Sequence, residues 1–281
     1  MFFRSTLTQI SFLLRRKGAL AAFYILLFMV LSNFIGNVLA FQGLDVIQMY
    51  HPMKILLLSY NRINYNADMT ILLTQLFPIL VTCPAGFALA KEYQLGTDIM
   101  IVSRLGQRRY RMSKLLAAFV TTFVVFTVPF MLEIFLNCIS FPLNAAGDLT
   151  NWGYYDSAYR TAVGNYYMWR LFVRAPYLYA VAGTLLFGFA AGIFGAFTMA
   201  LSSLIKIKYN AFLFLPVFSL LNLSVILSVG NPANMVSLRW DENLLLFSEV
   251  PKNGWIMATV LFVMAASSVG MVWKSGGKDC L

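Results

Sequence analysis

The chain has 281 residues, 60% of them hydrophobic, only 11% charged, with a formal net charge of +10 and a mean hydropathy of +0.73. A soluble globule is about 45–50% apolar, so this chain has too little polar surface to cover itself in water and the bilayer is its expected solvent. One His and three Cys, with no zinc or redox spacing among them, exclude a histidine-rich metal centre and a disulfide framework.

Residues 1–17, MFFRSTLTQISFLLRRK, mix Phe3, Leu7, Ile10 and Leu14 with Arg4, Arg15, Arg16 and Lys17. Positions 3, 7, 10 and 14 fall on one helical face, which reads as an amphipathic helix lying on a membrane surface; the alternative is a disordered basic tail. Six apolar stretches follow, at about 18–40, 69–90, 115–141, 175–205, 209–229 and 254–273. Each is near the roughly 20 residues that a helix needs to cross a hydrocarbon core. Backbone groups in lipid need internal partners and the strand alternation of outer-membrane barrels is absent, so the expected fold class is an all-α membrane protein with six transmembrane helices. Residues 18–281 form one transmembrane domain. The first stretch exceeds the length of a signal-peptide core and lacks an A-x-A cleavage site, so it is expected to be retained.

Basic residues orient the chain. With the N-terminus inside, fourteen of the 21 Lys and Arg lie on the cytoplasmic side, six of them in residues 91–114. Carrying six basic residues across a bilayer, at about 2.5–3.5 kcal/mol each, is strongly opposed. The expected location is the cell membrane, multi-pass, with both termini cytoplasmic. Three stretches then lie outside. Residues 41–68 hold MKILLLS, too short to span but able to lie in the interface. Residues 142–174 are rich in Trp and Tyr, which settle at headgroup depth. Residues 230–253 connect the last two spans and carry Asp241, Glu242 and Glu249.

No phosphate-binding G-x-x-x-x-G-K-[ST] loop occurs, so ATP hydrolysis is not expected of this chain and no catalytic residue is assigned. His51, before Pro52 in an expected exposed turn, is the only His. The placement of the positive charge fits membrane topology and not nucleic acid, and no metal site is expected.

Residues 91–114, KEYQLGTDIMIVSRLGQRRYRMSK, hold two kinds of information. Arg108, Arg109, Arg111 and Lys114 anchor the loop to the cytoplasmic side. The apolar run Ile99, Met100, Ile101 and Val102 is not explained by topology. Thr97 or Asp98 provides an N-cap and Gly96 a redirection of the chain, so a short helix that buries this run in another protein, rimmed by Arg104, Arg108 and Arg109, is expected. The order Glu92-x-x-x-Gly96-Thr97, a short apolar helix, then Arg108-Arg109-x-x-x-x-Lys114 leading into a span resembles the cytoplasmic loop of type-2 ATP-binding-cassette (ABC) exporter permeases. The six-span layout, the cytoplasmic ends and the N-terminal amphipathic helix extend this resemblance over nearly the whole chain. It implies that residues 1–17 are an elbow helix. It also implies that the 91–114 loop carries the coupling helix, which sits in a groove of a nucleotide-binding subunit. The implied partners are cytoplasmic ABC ATPase subunits holding ATP and Mg, and a second permease, identical or related. The implied activity is export of an amphipathic substrate such as a peptide, a lipid-linked molecule or a drug. The alternative function is a membrane binding or immunity protein that needs no ATPase and sequesters a ligand at the aromatic 142–174 segment.

Within the spans, Glu133 is the only acid. Asn137 lies four residues on, and Asn33 and Asn37 in the first span are also four apart. Gln75 and Asn222 are further intramembrane polar residues. Glu133 reads either as a substrate or gate contact or as a polar packing contact; the Asn and Gln residues read as interhelical bonds or as pathway lining. The fourth span carries Ala180, Thr184, Gly188, Gly192, Ala196 and Ala200 at four-residue spacing, a small-residue stripe for close helix packing within the subunit or against a second one. Pro78, Pro84, Pro129 and Pro216 are expected to bend or loosen their spans.

Overall fold

A computed structural model describes residues 2–43, 51–59, 67–86, 88–89, 92, 102, 106–143, 168–204, 213–228, 239–246 and 254–275. Among these the regular structure is helical: α1 (Phe2–Leu14), α2 (Lys17–Phe41), α3 (Ala67–Thr82), α4 (Gln107–Ser140), α5 (Trp169–Arg174), α6 (Pro176–Leu204), α7 (Leu215–Ser228), α8 (Trp240–Leu244) and α9 (Gly254–Ser275), with a 3-10 turn at Pro52–Ile55. No strand forms among the described residues; Ser59 and Leu246 make one isolated parallel bridge. Four helices, α2, α4, α6 and α9, are long and apolar enough to cross a membrane. The architecture is that of a helical membrane protein.

The two remaining apolar stretches form shorter helices. In the expected 69–90 span, α3 has 16 residues and stops at Thr82, about 24 Å at 1.5 Å per residue. Pro78 is accommodated inside it, whereas Cys83, Pro84, Ala85 and Gly86 form a turn. Pro84 has no N–H to give, and the residue before a proline is pushed away from helical geometry. The backbone of α2 crosses this turn closely: a Cβ on Gly18 would stand 2.5 Å from the Cys83 carbonyl oxygen. In the expected 209–229 span, α7 covers 14 residues, with Pro216 in its first turn where a missing N–H is harmless.

The third expected span is longer than its apolar core. Helix α4 begins at Gln107, after Gly106 at φ 77, and runs for 34 residues straight through Pro129. The basic residues read as a loop anchor therefore stand on a helix. Arg111 and Lys114 are buried, while Arg108 and Arg109 are exposed. The Arg108 guanidinium lies 5.3 Å from the Trp273 ring centre of α9, a cation–π contact between the two helix ends.

Helix α4 is the centre of the fold, and α1, α2, α6 and α9 pack on it. Antiparallel α6 approaches closely because its small residues leave room. A Cβ on Gly188 would meet the Thr127 hydroxyl, one on Gly192 the Phe119 ring at 2.9 Å, and one on Gly195 the Thr122 hydroxyl at 2.5 Å. Ala196 is buried beside Ala117 and Ala118. Above this contact Phe77, Phe126, Phe130, Phe187 and Phe194 interlock, and Trp240 stacks on Phe77 at 4.6 Å. Helix α9 buries only Met264, Ser268, Val272 and Ser275, a single stripe at helical spacing, and exposes Trp255, Phe262 and Val263.

Helix α1 is amphipathic in an inverted sense. Thr6 and Leu13 are buried, Gln9 Nε2 donates to Ser113 Oγ of α4 at 3.0 Å, and Phe3, Leu7 and Phe12 are exposed. Of the expected apolar face, Phe3 and Leu7 point outward while Ile10 and Leu14 are half-buried.

Gly188→Leu and Gly195→Leu should each destabilise the α4–α6 contact by about 1–3 kcal/mol. Thermal melting of the purified chain in detergent reads this out. Gly270→Leu, at a position with nothing within 4 Å of its Cβ, should leave the melting temperature unchanged.

Candidate functional site

Two polar clusters lie at opposite ends of α4. The first gathers around Glu92. Its Oε1 accepts from Arg16 Nη2 at 2.8 Å, and its Oε2 takes the Tyr110 hydroxyl and the Lys114 ammonium. Lys114 Nζ is also 3.2 Å from the Tyr110 hydroxyl. Arg16 sits at the α1–α2 junction, and Tyr110 and Lys114 are on the first two turns of α4. One carboxylate thus joins three elements just before residue 93. Burial lowers the Arg16 pKa from its usual value and Tyr110 opposes that shift; the guanidinium stays charged at any physiological pH.

Of the residues assigned to coupling, Gly96, Thr97, Ile99, Met100, Ile101 and Arg104 lie outside the described residues. Val102 is half-buried against the cluster of Leu13, Leu89 and Tyr110, and its carbonyl accepts from Gly106 N at 2.8 Å.

The second cluster lies about 28 Å along α4 from Lys114, at 1.5 Å per residue. Glu133 is 1% exposed. Its Oε1 accepts from Asn33 Nδ2 at 2.7 Å and from the backbone N–H of Leu57 at 2.7 Å. Asn33 Nδ2 also donates to the Ile55 carbonyl at 3.0 Å, Asn37 Nδ2 donates to the same carbonyl at 2.8 Å, and Asn137 Nδ2 reaches the Pro52 carbonyl at 3.4 Å. The Thr70 hydroxyl donates to the Leu57 carbonyl at 3.1 Å, and Leu246 N donates to that of Leu58 at 2.8 Å.

These bonds converge on residues 51–59. That segment, which includes the MKILLLS stretch, is enclosed by the helices: every residue in it is buried. Nor is His51 exposed. Its Nδ1 accepts from Met53 N at 3.1 Å, and its ring lies edge-on against Tyr177 and Phe172. A segment without α-helical bonds exposes backbone groups that an apolar bundle cannot satisfy. Asn33, Asn37, Thr70, Glu133 and Asn137 supply the missing partners. Four of the five residues assigned to a pathway therefore meet on one backbone segment. The fifth, Gln75, is exposed on α3 and does not join them.

Sequence reasoning missed the segment itself, Thr70, and the Glu92 partners Arg16 and Tyr110. The readable signal was the matched spacing of Asn33 with Asn37 and Glu133 with Asn137, which gives two facing pairs on adjacent helices. Among the described residues no group of three His, Cys, Asp or Glu side chains is placed to hold a metal ion. Comparison with known proteins finds no matching family model, no matching curated protein and no matching solved structure.

Glu133→Gln keeps an acceptor for Asn33 and Leu57 and should melt within about 1 kcal/mol of wild type. Glu133→Leu leaves the Leu57 N–H and one Asn33 amide hydrogen unpaired and should cost about 2–4 kcal/mol. Denaturation of the two variants in detergent separates these outcomes.

Proposed function

We propose that this chain is the transmembrane permease subunit of an ABC transporter, pairing with a second permease and with cytoplasmic ATPase subunits to export an amphipathic substrate. The observation that carries the reading is the Glu92 junction. Glu92 is the acid of the E-x-x-x-G-T motif, and it holds the α1–α2 junction through Arg16 and the foot of α4 through Tyr110 and Lys114. A displacement of the following loop would therefore reach three helices through one half-buried carboxylate.

In this reading α1 is the elbow helix, with Phe3, Leu7 and Phe12 in the headgroup layer. Helices α3 and α7 complete six spans, and both termini face the cytoplasm. The apolar run Ile99 to Val102 docks in the ATPase, which binds ATP and Mg. ATP-driven closure of the ATPase pair pulls the loop, and α4 carries the motion across the membrane. The apolar surface of the chain suits an amphipathic substrate better than a small ion.

Copurification from the native membrane should recover an ATPase subunit with the chain. Met100→Asp and Ile101→Asp, which place charge in the apolar run, should cut the ATPase activity of the reconstituted complex at least tenfold while membrane insertion is retained. Recovery of the chain without an ATPase, or activity indifferent to both substitutions, contradicts the proposal and favours a ligand-sequestering protein.

A further inference from the structure

The cluster at the far end of α4 has more oxygen acceptors than donors. Asn33 and Asn37 stand on successive turns of α2, Glu133 and Asn137 on successive turns of α4, and all four are at most 1% exposed. Each amide nitrogen is already oriented: it donates to a backbone carbonyl, and for Asn33 also to the Glu133 carboxylate. This fixes which end of each amide is oxygen. Asn33 Oδ1, Asn37 Oδ1 and Asn137 Oδ1 are buried and accept no hydrogen bond among the described residues. Because oxygen and nitrogen of an amide share one carbon, Asn33 Oδ1 sits beside the nitrogen that touches the carboxylate.

The carboxylate poses the same question. Glu133 has two hydrogen-bond donors but no ion pair among the described residues, where the ion pairs are Arg16–Glu92 and Lys114–Glu92. The capping segment carries two titratable side chains, His51 and Lys54, and each is engaged in interactions of its own. A buried charge needs a counter-charge. A water molecule would satisfy oxygens but bring no charge. A proton on Glu133 would remove the charge but donate to only one of three amide oxygens. A cation does both.

We propose that Glu133, Asn33, Asn37 and Asn137 bind a monovalent alkali cation of sodium size beneath the 52–57 segment. Amide and carboxylate oxygens are hard donors, which select against soft transition metals. A single carboxylate balances one positive charge and is poorly suited to a calcium ion, whose sites usually combine several carboxylates. The bound ion ties α2 to α4 and fixes the segment that both helices hold.

The test uses the full chain in lipid nanodiscs, with radioactive sodium as the probe and choline chloride holding ionic strength constant. Saturable sodium binding, displaced by unlabelled sodium but not by choline, is expected. It should weaken at least tenfold in both Glu133→Gln and Asn37→Ala. Asn37→Ala leaves the Ile55 carbonyl bonded to Asn33, so it keeps the test decisive should Glu133→Gln fail to fold. The melting temperature of the wild type should likewise rise with sodium and not with choline. Absence of sodium binding to the wild type overturns the proposal, as does binding that both substitutions leave intact. Stability that follows pH but not sodium, with the pH dependence abolished in Glu133→Gln, also overturns it and assigns the site to a proton.

Discussion

A stretch of chain that is neither helix nor strand lies buried inside a bundle of membrane-type helices, and its backbone must find partners there. That constraint accounts for much of the polar chemistry in this protein. The Ile55 carbonyl takes two amides, the Leu57 N–H takes a carboxylate and the Leu57 carbonyl takes a hydroxyl. Each unmade bond of this kind would cost about 1–3 kcal/mol. The side chains come from α2, α3 and α4, so the segment and the three helices are fixed by the same bonds.

Helix α4 connects this arrangement to the other end of the molecule. Its 34 residues make a rod of roughly 51 Å. One end carries Tyr110 and Lys114 on Glu92; the other carries Glu133 and Asn137 under the buried segment. Between them α6 lies close enough that glycines are needed at the contact. Well-packed interfaces transmit displacement because they are dense and resist compression. The Glu92 junction and the 52–57 segment thus meet opposite ends of one helix.

The helical membrane architecture was legible because apolar runs of spanning length leave the backbone few alternatives. The stripe of small residues in α6 was legible as a packing surface for the same geometric reason, and its glycines Gly188 and Gly192 lie against Thr127 and Phe119; Gly195, against Thr122, falls outside that four-residue spacing. Helix ends were less so. Pro84 stops α3 where hydropathy alone continued it, and Gly106 starts α4 among basic residues that read as loop. The polar pairs on α2 and α4 stood out, but their target did not. MKILLLS carries no periodicity that distinguishes an exposed stretch from a buried one, and its burial depends on partners far away in the chain. His51 misled for the same reason: its environment is made by Phe172 and Tyr177, more than a hundred residues later. Glu92 was singled out by motif, whereas Arg16 and Tyr110, which give it a structural role, carry no local signal.

The 52–57 backbone is held by side chains inside the bundle, and amide hydrogen exchange of the wild-type chain in nanodiscs measures this directly. Met53, Lys54 and Leu57, whose N–H groups are bonded and buried, should exchange as slowly as the central turns of α2 and α4. Exchange of these amides at the rate of an open loop, with α2 and α4 still protected, would contradict it.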